Sequence, residues 1–180
     1  MITFLKKRSY DLVYMFITQL AISIFGLALA FAIPENRPGL MIGTSVFSVC
    51  FYLFLIYTRV WELGYKDSNS FAKGVDGLSR LEGLYMGLAA NTVNFLVALL
   101  ILIGWLSSNG VIDAIAGGAT VVALLTEGMY IGILSASVGG VTLNSLGFMY
   151  LIITLPMILT STLAYLAGSH DFKLFGAKKN

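Results

Sequence analysis

Charge is scarce in this sequence: Asp, Glu, Lys and Arg make up only 11% of its side chains, and it holds one cysteine, one histidine and three prolines. A lone cysteine, Cys50, excludes an intramolecular disulfide and a cysteine-based zinc site. Inside its apolar run it reads as a small core residue. His170 stands beside Asp171 with no second His or Cys to complete a metal-ligand set, so no metal is expected. Eleven basic against nine acidic residues leave a net charge of +2, too little for a nucleic-acid partner. No Walker loop, dinucleotide fingerprint, His-Glu-x-x-His or Gly-x-Ser-x-Gly occurs, and Gly74-x-x-Gly77 matches none of them. Neither a cofactor nor an enzymatic activity is expected.

Hydrocarbon is abundant instead: 58% of the 180 residues are hydrophobic and the mean hydropathy is +0.88. At about 20 apolar residues per helical crossing, four or five spans use roughly 80 to 100 residues and leave short loops. The expected fold is all-α, a single polytopic transmembrane helix bundle whose main partner is the lipid bilayer.

The first span is expected at 12–33. The basic Lys6, Lys7 and Arg8 ahead of it, and Ala30-Phe31-Ala32 near its end, imitate a secretory signal, but the apolar stretch exceeds the roughly 7 to 15 residues of a signal core. It reads as a transmembrane helix. Pro34-Glu35-Asn36-Arg37-Pro38 then makes a tight polar turn. The second span, 40–61, ends in the aromatic and charged border Tyr57, Arg59, Trp61 and Glu62. Residues 62–82, with Lys66, Asp67, Lys73, Asp76 and Arg80, read as a cytoplasmic solvated loop or surface helix. A third span is expected at 84–105, closed by Trp105 and the turn Ser107-Ser108-Asn109-Gly110, and a last one at 146–166. Residues 111–141 are apolar but interrupted by Asp113, Gly117-Gly118, Thr126-Glu127-Gly128 and Gly139-Gly140. They cross once, or dip in and return where protein or water shields the backbone. The expectation is four spans plus a re-entrant or broken segment, with five or six spans as alternatives.

Positive charge favours an even number of crossings, because Lys and Arg gather on the cytoplasmic side of short loops. If 111–141 does not cross, Lys6, Lys7, Arg8, Arg59, Lys66, Lys73, Arg80, Lys173, Lys178 and Lys179 lie inside and only Arg37 outside, ten against one. One crossing there makes it seven against four. A plasma-membrane protein with both termini cytoplasmic is the expected arrangement.

Several residues carry more than topology. Gly39-x-x-x-Gly43, Gly83-x-x-x-Gly87 and Gly128-x-x-x-Gly132 each place two bare patches one turn apart, which suits close helix packing within the chain or against a partner. Asn91 and Asn94 share one helical face, and amides in hydrocarbon need partners: an interhelical clamp, or a ligand or ion. Gln19 receives the same two readings, the structural one first. Glu127 is the acidic residue deepest in an apolar stretch, with no Lys or Arg beside it. It is a candidate for proton coupling or cation binding unless the segment lies near an interface. Pro156 is expected to kink the final span, with Thr154, Thr160, Ser161 and Thr162 re-satisfying freed backbone groups.

Trp61-Glu62-Leu63-Gly64 with Lys66-Asp67, Gly87 with Asn91 and Asn94, Met129-Tyr130-x-Gly132, and Leu155-Pro156 before Leu163-Ala164-Tyr165-Leu166-Ala167-Gly168 together resemble a group of small, functionally uncharacterised multi-pass integral membrane proteins of Gram-positive bacteria. The resemblance touches about the C-terminal two thirds of the chain and implies location and bundle architecture, not an activity. Three functions follow as expectations. The first is a non-enzymatic membrane subunit of a transport or export complex, packing with a membrane-protein partner or as a homo-oligomer. The second is a small-molecule or ion carrier, or substrate-binding membrane subunit. The third is an immunity-type membrane protein.

Overall fold

The computed structural model describes residues 2–34, 36–72, 81–107 and 109–172. Expectations that fall on Glu35, Lys73, Gly74, Asp76, Gly77, Arg80, Ser108, Lys173, Lys178 and Lys179 lie outside the described residues. The protein is all-α. Its helices are α1 (Ile2–Phe31), α2 (Pro38–Ala72), α3 (Glu82–Ala90), α4 (Thr92–Leu106), α5 (Gly110–Glu127), α6 (Ile131–Leu134), α7 (Met149–Ile152) and α8 (Leu155–Ser169). A 3-10 turn, Gly128–Tyr130, joins α5 to α6, and a two-stranded hairpin, Ser137–Val138 with Val141–Thr142, follows.

Four helical stretches are long and apolar enough to cross a membrane: Phe4–Phe31, Pro38–Ala72, Gly110–Leu134 and Met149–Ser169. The α3–α4 pair also qualifies if it is taken as one broken span, bent by 55°. Of the interruptions expected within 111–141, Thr126-Glu127-Gly128 is one, since α5 ends at Glu127 and gives way to the 3-10 turn, whereas Asp113 and Gly117-Gly118 are not. Asp113 sits in the first turn of α5, where the helix dipole favours an acid, and the Asn109 side chain caps that turn by accepting from the Val111 N–H at 3.0 Å. Gly117 and Gly118 face open space and leave the helix intact. Gly139 and Gly140 do end the apolar segment: both have positive φ, as the two-residue turn of this hairpin requires. A second break comes at Asn91, between α3 and α4.

Contacts group the chain into two compact units, Met1–Tyr52 with Ala90–Leu155, and Leu53–Ala89 with Pro156–Asn180. In the first unit α4 packs on α5, and α1 crosses α5 and the 3-10 turn. Gly104 meets Ala116 at the α4–α5 contact, and Gly147 lies against Trp105, whose ring meets Phe148 edge-on at 6.1 Å. In the second unit, Gly64 and Gly168 let α2 and α8 touch backbone to backbone, Gly64 on the Tyr165 carbonyl and Gly168 on that of Trp61. Residues 62–72 continue α2 as helix, the surface-helix alternative, and Lys66 pairs with Glu62 at 2.6 Å.

A further difference concerns the start of the first span. Helix α1 begins at Ile2, so Lys6, Lys7 and Arg8 are helical, and Arg8 and Asp11 are buried together, 5% and 7% exposed and 3.9 Å apart. Opposite charges three residues apart offset each other's burial. Near Pro156 the helix is interrupted at Ile153–Thr154, in line with the expected disruption, and the Thr154 hydroxyl donates to the Leu151 carbonyl at 2.8 Å.

Candidate functional site

The site in the first unit is built where α1 crosses the junction of α5 and the 3-10 turn. The crossing is close because each side offers a glycine. A Cβ on Gly26 would stand 2.7 Å from the Met129 Cα, and one on Gly128 would stand 3.1 Å from the Ser23 carbonyl. Ser23 closes the contact by donating to the Thr126 carbonyl at 2.7 Å. On the other side, Ser45 of α2 accepts from the Gly132 N–H at 2.7 Å, and Gly132 lies directly on the Met41 carbonyl. The residues between these two anchor points, Glu127 to Ile131, are held by packing from both neighbours.

Glu127 lies at this junction, 3% exposed, and its Oε2 has no hydrogen-bond partner among the described residues. Its backbone, φ −130° and ψ 16°, leaves the α-helical region there, and the regular ladder gives way to 3-10 bonding. Three phenols lie within electrostatic range of the carboxylate: Tyr52 from α2, Tyr130 from the turn and Tyr150 from α7. The Tyr52 and Tyr130 hydroxyls are likewise buried without partners among the described residues. Gln19, 3% exposed and with its Oε1 also unpartnered, is one turn before Ser23 on the α1 face that meets α5. A carboxylate in such surroundings has to be protonated, paired or solvated, and unpaired polar groups in low dielectric are costly.

The amide pair is buried too, Asn91 at 1% and Asn94 at 0% exposure. The Asn94 Nδ2 donates to the Asn91 Oδ1 at 2.9 Å, so the bond between them lies within one helical turn and does not bridge two helices. The Asn94 Oδ1 has no partner among the described residues. The three glycine pairs divide. Gly83 and Gly87 pack on α8, against Tyr165 and Ser161 and against Ser161 and Ile158, and Gly128 and Gly132 pack as described. Gly39 and Gly43 are a correction: nothing lies within 4 Å of where their Cβ atoms would be, because they are on an outer face of α2. Gly43 lines an apolar cleft of about 380 Å³ with Leu29, Ala32, Ile33, Leu40, Thr44 and Phe47. Cys50 is a second correction, exposed on α2 where a core position was expected, since its helix turns Val49 and Tyr52 inward.

Sequence reasoning missed the phenols. The i, i+3 spacing of Glu127 and Tyr130 was a local signal, but Tyr52 and Tyr150 come from remote elements and no spacing connects them. It also missed a polar cluster in the second unit, where the buried Tyr165 hydroxyl lies 2.9 Å from Asp67 Oδ2 and 3.1 Å from Glu82 Oε2. Among the described residues no group of three or more His, Cys, Asp or Glu is placed to hold a metal ion.

No family model, curated protein or solved structure matches the chain. Its class rests on its own architecture: an all-α protein with four long apolar helices compatible with a membrane-embedded protein.

Proposed function

We propose that this is a non-enzymatic protein of the plasma membrane that binds a cation at Glu127, as a small-molecule or ion carrier or as the substrate-binding membrane subunit of a transport system. The observation that carries this reading is the buried Glu127 carboxylate at a break in helical bonding, with an oxygen unpartnered among the described residues and two likewise unpartnered phenol hydroxyls within electrostatic range. Interrupted helices beside ionisable groups are the usual means by which membrane proteins present ligands to ions and small charged substrates. A hydrophobic carbodiimide, which modifies carboxyl groups in apolar surroundings, tests the reading on the full chain in vesicles. Labelling should map to Glu127, slow down in the presence of sodium, potassium or alkylammonium chloride, and disappear in Glu127→Gln. Labelling of Glu127 that no cation slows would defeat it.

The partner-subunit reading has one observation of its own, the open Gly39–Gly43 face and its apolar cleft. Native mass spectrometry of protein extracted from its own membrane in mild detergent checks it: a stoichiometric second chain supports it, and a bare 19.4 kDa chain counts against it. In both readings the N-terminus is cytoplasmic. The ten-to-one charge distribution supports a cytoplasmic C-terminus as well, an arrangement in which the α3–α4 pair enters and leaves on one face.

A further inference from the structure

We propose that the ligand of the Glu127 site is a small protonated amine bearing N–H groups, not a metal cation. This deepens the cation-binding reading above and rests on it. Among the described residues, the atoms left without partners at this carboxylate select for a donor: Glu127 Oε2 can only accept when it is ionised, and the Tyr52 and Tyr130 oxygens can accept as well. An ammonium group supplies up to three donors together with the charge that a buried carboxylate requires, so one ligand satisfies both demands.

The surroundings argue against a bare metal ion. Hard cations take six or more oxygen ligands, several of them carboxylate or carbonyl, whereas Glu127 is the one carboxylate among the groups described at this crossing, and among the described residues no acidic cluster is placed to help it. Three tyrosines, from α2, the 3-10 turn and α7, lie within electrostatic range of that carboxylate instead. Aromatic faces attract organic cations, most strongly where water is excluded. Tyr52 and Tyr130 are 1% and 4% exposed. A quaternary ammonium would use the rings but leave the acceptor oxygens unpaired, so a primary amine fits better than a fully alkylated one.

The test is the thermal unfolding of the purified full chain in mild detergent, titrated at constant ionic strength with n-butylammonium, tetramethylammonium, sodium or potassium chloride. Butylammonium should raise the melting temperature saturably, and the other three should not match it. In Glu127→Gln the shift should vanish. Tyr130→Phe, which keeps the ring and removes one acceptor, should fold and need about tenfold more butylammonium for half the effect, the size expected for one hydrogen bond to a charged group. An equal or larger shift from sodium or potassium would overturn the amine assignment and leave cation binding standing. Absence of a Glu127-dependent shift with any salt, together with carbodiimide labelling that no cation slows, would overturn both. A butylammonium shift that survives in Glu127→Gln would mean binding elsewhere and would equally refute the site.

Discussion

Single side chains in this protein are held by small numbers of buried polar bonds. Asn91 and Asn94 show how such a pair behaves energetically. Removing one member strips a buried group of its partner, whereas replacing both with leucine removes the need for the bond. Asn94→Leu should therefore lower stability by about 1 to 2 kcal/mol, and the Asn91→Leu, Asn94→Leu double variant by clearly less than the sum of the two single changes. A double-mutant cycle read by thermal unfolding in detergent measures this directly, and strict additivity would show that the 2.9 Å bond contributes nothing. Tyr165 is the parallel case in the second unit. Its hydroxyl has one proton and two carboxylate neighbours, so it donates to one of Asp67 and Glu82 at a time. Tyr165→Phe should cost about 1 to 3 kcal/mol by the same measurement.

Between elements, glycine has two different roles that sequence spacing does not distinguish. Gly26 and Gly132 carry contacts that no side chain could occupy, since a Cβ would meet the Met129 backbone in one case and the Met41 carbonyl in the other. Gly43 has open space around it. Gly26→Ala and Gly132→Ala should each destabilise by about 1 to 3 kcal/mol through overpacking, while Gly43→Ala should be neutral or raise stability by up to about 1 kcal/mol through helix propensity. Parallel melting curves of the three variants make the comparison; an equal loss for all three would contradict the packing described. The crossing also explains why Glu127 is held where it is. Ser23 binds the carbonyl before it and Ser45 binds the amide of Gly132 five residues after it, so the intervening 3-10 turn is positioned from two sides.

At the scale of the whole chain the open quantity is the parity of crossings, set by the α3–α4 pair. If that pair enters and leaves on one face, a C-terminal reporter is cytoplasmic; if it crosses as a broken span, the reporter is outside and the positive charges divide seven against four. Paired fusions of a reporter active only inside the cell and one active only outside it, each at the C-terminus, decide this. The charge distribution predicts signal from the cytoplasmic one alone.

The all-α class and the presence of long apolar helices were legible in the residues, because in hydrocarbon the backbone must satisfy itself within each helix and the side chains must be apolar over some 20 residues; the continuous helix expected at 84–105 is instead broken at Asn91. Those are local demands, and local composition records them. Glu127 was also visible as the acid furthest from polar sequence. Which glycines pack, that the helix breaks at Asn91, that Arg8 and Asp11 are buried together, and that Tyr52, Tyr130 and Tyr150 come within electrostatic range of Glu127 were decided only by the tertiary structure. Each depends on which face of one helix meets which face of another, and the weak amphipathicity of helices that are apolar all round leaves that choice unmarked along the chain.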